Sequence, residues 1–120
     1  MQATEPKTIL VASRDPKLAD VRKSILEREG FLVIAASDSA TVEKTCTEGR
    51  VLLVMLGYSL PPADKRRIWK AAREKCKVPI LELYREGSPE VLDQNVYYHE
   101  SKAPEDFIET VKSLTSRKPS

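Results

Sequence analysis

Side chains able to do covalent or metal chemistry are few in this 120-residue chain. Its cysteines are Cys46 and Cys76, its one histidine is His99, and none of them is near another in sequence. A Cys–His nucleophile pair or a zinc site needs such residues within bonding reach, and no C-x-x-C spacing supplies them. Two cysteines make no disulfide framework either, so both are expected as free thiols in a reducing compartment, the cytoplasm. No catalytic residue and no metal ligand set is expected. Among the carboxylates, Asp15 stands directly before Pro16, a cap followed by a first-turn proline. Its oxygens are therefore expected on backbone N–H groups and not on a substrate.

The segment "VLLVMLGYSLPP", residues 51–62, poses the main question. Six consecutive apolar residues describe a strand buried on both faces, as at the centre of a parallel sheet. In open α/β sheets the working groups lie just past the carboxyl ends of such strands, and here that place holds Gly57.

The elements that must position these residues alternate along the chain. "TILVA" (8–12), "FLVIAA" (31–36), the run after residue 50, "VPILEL" (78–83) and "NVYYH" (95–99) read as strands. Between them, 15–30 reads as a helix with Leu18, Val21, Ile25 and Leu26 on its inner face and Gly30 as its stop. Residues 37–49 form a weaker helix through Val42 and Cys46, ending at Gly49. Residues 62–76 form a third, with Ile68, Trp69, Ala72 and Cys76 inward. A short helix is expected within 85–94, with Ser88 as cap and Pro89 in its first turn. A last helix over 103–116 carries Phe107, Val111 and Leu114. Such alternation gives right-handed crossovers and one doubly wound α/β domain, a parallel five-stranded sheet with helices on both faces. The domain is expected over 7–116, with a disordered lead at 1–6 and a tail at 117–120.

At 41% apolar and 32% charged residues the chain has a globular composition, and its net charge of +2 is too small to argue for nucleic acid or an anionic membrane. The basic run at 64–77 and the tail "SRKPS" read as a solvated helix face and a frayed end. No segment has the length of a membrane span, and "MQATEPK" has no apolar signal core.

Beyond architecture, "TILVASRDP", "ILEREGFLVIAASDS", "VLLVMLGYSLPP", "VPILELY" and "YYHESKAPEDFIETVKSL" follow one another in an order and spacing that resembles the receiver domain of two-component response regulators, the CheY-like superfamily. The resemblance covers roughly 7–116. It implies a phosphorelay signalling domain of flavodoxin-like (βα)5 fold, with a fourth helix shortened by about a turn. In that family an aspartate near the third-strand proline accepts a phosphoryl group, and Pro61 places that position at Gly57. The two acids that hold Mg²⁺ fall on Ser13 and Arg14, and the Ser or Thr that senses the phosphoryl group falls on Tyr84. The family's lysine persists as Lys102, followed by Ala103-Pro104.

Glycine supplies no nucleophile for an acyl phosphate, and an arginine beside a magnesium seat opposes the cation. The resemblance therefore implies a pseudo-receiver without Mg²⁺, not an enzyme, acting by contact with a protein partner: another signalling protein, its own output domain, or a second copy in a homodimer. Neither nucleic acid nor membrane is an expected partner. The alternatives are an atypical phosphoreceiver using Ser59 or Asp15, and a small-anion or ligand-binding flavodoxin-like module, which "ASRDP" does not favour for want of a glycine-rich loop.

The emptied centre has a candidate role. Arg14 and Lys102 are expected to converge on the hollow at Gly57, with Tyr84 at its wall, as an anion pocket. Alternatively Arg14 points to solvent or pairs with an acid such as Asp15 or Glu82. Glu82, a charge inside an apolar strand, reads either as an edge-facing carboxylate or as the partner of a basic residue. Tyr97, Tyr98 and His99 lie beside the family's signalling face, and strand alternation should bury one tyrosine and expose the other.

Overall fold

The computed structural model describes residues 7–48, 51–85, 96–103 and 106–116. Five strands, β1 (Thr8–Ala12), β2 (Leu32–Ala36), β3 (Val51–Leu56), β4 (Ile80–Tyr84) and β5 (Val96–Glu100), form one sheet in the order β2-β1-β3-β4-β5. All pairings are parallel, with Ala12 beside both Ala36 and Leu56, and Leu56 beside Glu82. The helices are α1 (Pro16–Arg28), α2 (Ser39–Glu48), α3 (Pro62–Lys75) and α4 (Ile108–Thr115). The expected helix within 85–94, apart from Arg85, and the lead, the tail and Gly49 lie outside the described residues.

Local signals account for the element ends. Asp15 caps α1, its Oδ1 accepting from the N–H of Lys17 (3.0 Å) and Leu18 (3.3 Å). Gly30 closes α1 at φ +94°, a left-handed conformation that costs glycine little, with its N–H on the Glu27 carbonyl. Asp38 Oδ1 accepts from Thr41 N–H at 2.7 Å, which starts α2 and holds the Asp38 carboxyl below its usual range. Pro62 occupies the first turn of α3.

Alternation along the strands divides the interior into two cores. On one face Leu10, Val54, Leu56 and Ile80 pack with Val42 of α2 and Ile68, Ala71 and Ala72 of α3. On the other, Ile9, Val11, Leu53, Met55, Leu81 and Leu83 pack with Ile25 and Leu26 of α1 and Phe107, Val111 and Leu114 near α4. The central strands β1 and β3 are thus covered on both sides, which is why their sequences show no polar alternation.

Two expectations are corrected. Cys46 and Cys76 are not free thiols: they form a disulfide joining the ends of α2 and α3, with Cα atoms 4.8 Å apart. Both were placed on inward faces, but their pairing depends on α2 and α3 lying side by side on one face of the sheet. On α1, Val21 is 45% exposed, and the inner position is taken by Arg22. Among the described residues no helix is long and apolar enough to cross a membrane.

Candidate functional site

The carboxyl ends of β1, β3, β4 and β5 open on one edge of the sheet, the place where α/β folds carry their working groups. Ser13 is buried there. Its N–H donates to the Ala36 carbonyl (2.9 Å), while its Oγ accepts from Asp15 N–H (3.1 Å) and lies 3.1 Å from Ser59 Oγ. Gly57 is buried, its N–H donating to the Ala12 carbonyl at 2.9 Å. Tyr84 is half-buried, and its carbonyl accepts from Ser101 N–H at 2.7 Å.

Arg14 and Lys102 do not converge on the hollow. Arg14 is directed at Asp64, its Nη1 3.0 Å from Oδ2, and so joins the β1–α1 turn to the first turn of α3. It does take an acid, but neither of the two named from sequence. The Lys102 side chain is 77% exposed, with Nζ 3.5 Å from Glu100 Oε1. The two cations line different cavities, Arg14 with Asp38 and Asp64, Lys102 with Tyr58 and Phe107.

The space beside Gly57 belongs to Arg22, which sequence reasoning missed. A Cβ added at Gly57 would meet Arg22 Nη1 at 2.5 Å and the Ala12 carbonyl oxygen at 3.1 Å. Arg22 is only 4% exposed, and its guanidinium carbon lies 4.9 Å from the centre of the Tyr58 ring. Burial pushes its pKa down, with Tyr58 and Asp15 opposing that shift; an arginine nevertheless keeps its proton. A signal was present: Arg22 falls four residues after Leu18 and four before Leu26, on the inward stripe of α1. The structural consequence is direct. Glycine at 57 leaves a space just past β3, and a cation from the neighbouring helix fills it.

The family that the sequence resembles would hold a magnesium ion at this edge, and the residues present do not fit one. Mg²⁺ selects carboxylate oxygens in octahedral arrangement. Here Ser13 is engaged with Ser59 and the backbone, Asp15 Oδ1 is committed to the α1 cap, and a buried guanidinium stands beside Gly57. Among the described residues no group of three or more His, Cys, Asp or Glu is arranged to hold a metal.

Glu82 proves to be the partner of a basic residue. Its Oε2 lies 3.1 Å from Lys65 Nζ, and both side chains are buried, at 0% and 1% exposure. The pair ties α3 to β4 within the α2–α3 core. On β5, Tyr97 is exposed while Tyr98 packs against that core, as alternation requires. His99 turns to the β5–α4 connection, its Nε2 3.0 Å from Asp106 Oδ1 and its Nδ1 3.4 Å from Thr110 Oγ1.

Asp106 organises this connection. Its Oδ2 accepts from the N–H groups of Lys102 (2.6 Å) and Ala103 (3.0 Å). Burial raises the Asp106 pKa, but these donors and His99 outweigh it, leaving the carboxyl below its ordinary 3.8. A depressed folded-state pKa contributes stability that is present above the unfolded value and lost as pH falls through the folded one. D106N is therefore expected to lower stability at neutral pH and to flatten its decline between about pH 5 and pH 2, as read by urea unfolding at a series of pH values. An unchanged acid limb in D106N would count against this assignment.

No model of a known protein family matches the sequence. Over 75 residues, 62% of this chain, it is 29% identical to the response regulator GtcR of Aneurinibacillus migulanus, of which the match spans 31%. Over 87 residues, 72% of this chain, it is 28% identical to protein PetR of Rhodobacter capsulatus, of which the match spans 37%. The chain thus corresponds to about a third of the length of these relatives. A response regulator receiver protein from Sinorhizobium medicae superposes with a TM-score of 0.76 at 23% identity, covering 92% of this chain and 95% of that one. A CheY-like receiver domain protein from Methanospirillum hungatei superposes with a TM-score of 0.71 at 21% identity, covering 92% and 94%. The fold is that of the CheY-like receiver domains, and the five-stranded parallel architecture read from the sequence is the one observed.

Proposed function

We propose that this chain is a receiver-like signalling domain of a two-component phosphorelay system that works without phosphorylation and without Mg²⁺. It acts by binding a protein partner, either a separate signalling protein, an output domain or a second copy of itself, and it performs no catalysis. The observation that carries this reading is the arrangement at residue 57, where glycine replaces a nucleophile and Arg22 occupies the adjoining space. An acyl phosphate needs an attacking carboxylate, and its formation in this fold needs a divalent cation that Ser13 and Arg14 are ill suited to hold. The hydroxyl of Ser59, the alternative acceptor, is engaged with Ser13. The Tyr97–Tyr98–His99 strand presents one exposed aromatic ring, Tyr97, and supports a partner face along β5. We place the domain in the cytoplasm on the strength of its fold alone, since the Cys46–Cys76 disulfide removes the argument from free thiols.

Incubation with acetyl phosphate and Mg²⁺, followed by intact mass measurement, is expected to leave the mass unchanged. The gain of one phosphoryl group would overturn the proposal. Gly57→Asp is expected to behave in the same way, because its carboxylate would be drawn to Arg22 and no acid pair stands ready for the metal.

A further inference from the structure

The cavity that Arg22 enters is more than packing space. It lies between α1 and the β5–α4 connection and has a volume of about 240 Å³. Three cations line it, Arg22, Arg85 and Lys102, and among the described residues no carboxylate does. Its remaining walls are largely apolar, from Leu18, Val21 and Phe107.

Positive charge predominates at the cavity wall, with Asp15 and Glu100 the nearby acids. Arg22 is 96% removed from solvent by its 4% exposure, and its Nη1 has no hydrogen-bond partner. A buried donor on a charged group is costly when unmade, so an oxyanion that reached this guanidinium from the cavity would relieve that cost. Arg85 approaches the same aromatic ring as Arg22, its guanidinium carbon 5.4 Å from the Tyr58 centroid against 4.9 Å for Arg22. Tyr58 therefore serves two like charges at once. Lys102 adds a third charge, 77% exposed and 3.5 Å from Glu100. Guanidinium groups recognise planar or tetrahedral oxyanions through paired N–H donors, and do so most strongly where water is excluded.

We propose that this cavity binds a small organic anion, with its carboxylate or phosphate set against Arg22, Arg85 and Lys102 and its apolar body against Leu18, Val21 and Phe107. The site differs from the pocket expected from sequence, since Arg14 takes no part and Arg22 supplies the inner charge. Its volume is below the roughly 300–1,000 Å³ of pockets for drug-sized molecules, so the ligand is fragment-sized. The inference goes beyond the phosphorylation-independent reading and does not depend on it.

The test uses the full chain and phenyl phosphate, benzoate, inorganic phosphate and benzyl alcohol as probes, each titrated by two-dimensional NMR. Phenyl phosphate and benzoate are expected to give saturable shifts at Tyr58, Ser101 and Ala103, with Kd on the order of 1 mM. Inorganic phosphate should bind more weakly for want of an apolar body, and benzyl alcohol more weakly for want of charge. Arg85→Gln, at an exposed position, should weaken phenyl phosphate by about tenfold, as should Arg22→Met if it folds. No saturable shift below about 50 mM phenyl phosphate would overturn the site. Affinity unchanged in Arg85→Gln would overturn it too, as would equal binding of benzyl alcohol. Equal binding of inorganic phosphate would overturn the apolar half of the assignment. Acetyl phosphate mass measurements leave all these outcomes untouched, so the two proposals fail separately.

Discussion

Lys65→Met is expected to lower the free energy of unfolding by about 3–5 kcal/mol, the largest effect foreseen for a single substitution here. The change keeps the length and apolar stem of the side chain and removes the ammonium that lies 3.1 Å from Glu82 Oε2. Glu82 sits at 0% exposure on β4, beside Leu56 on β3 and Tyr98 on β5, so its carboxylate is withdrawn from bulk water. Breaking a buried pair from one side leaves the desolvation cost of the other charge in place. Replacing both members by apolar residues of similar volume, Lys65→Met with Glu82→Leu, removes that cost and should recover most of the loss. Urea unfolding of the two single variants and the double variant measures the coupling directly. A loss of less than about 1 kcal/mol in Lys65→Met would show that Glu82 does not rely on this ammonium.

Reduction of the Cys46–Cys76 bond is the second large effect. The bond closes a sequence separation of 30 residues, and restoring that freedom to the unfolded chain should cost roughly 3–4 kcal/mol on the loop-entropy account. For a domain of this size the melting temperature should fall by on the order of 10–20 °C. The double variant Cys46→Ser with Cys76→Ser should reproduce the fall without reductant. A thiol count on protein unfolded under non-reducing conditions checks the premise: no reactive thiol is expected, and two would contradict the bond. The loss should be felt at the α2–α3 side, because both cysteines belong to the core those helices cover.

Much of the frame is legible in the sequence. Strands such as "TILVA" and "VLLVML" are apolar throughout because β1 and β3 are covered on both faces, and that pattern survives in any parallel sheet. Asp15 and Gly30 ended α1 through cap chemistry that is local in sequence. Gly57 could be placed just past the end of β3 because the strand before it and the prolines after it fix its position. What escaped depends on contacts between distant segments. Cys46 and Cys76 become neighbours only because α2 and α3 pack on the same side of the sheet. Lys65 and Arg22 were each overlooked because a charged residue on an inward stripe reads by default as solvated. Lys65 is inward because Glu82 receives it, and Arg22 because Gly57 leaves room. The partner of Arg14 is not legible in the sequence, since Asp64 lies 50 positions away and is brought near by the β1–β3 pairing.

The guanidinium lodged beside residue 57 also ties two positions together, since neither residue 22 nor residue 57 can change alone without cost. An aspartate arising at 57 would fall into ion pairing with Arg22, and removing Arg22 afterwards would strand a buried anion. If Arg22 is lost first, a void opens at the base of α1 before any acid is there to fill it. Either order of change passes through an intermediate less stable than the present pair, so the glycine and the arginine behave as one coupled unit, and a single substitution cannot exchange it for an acid at 57.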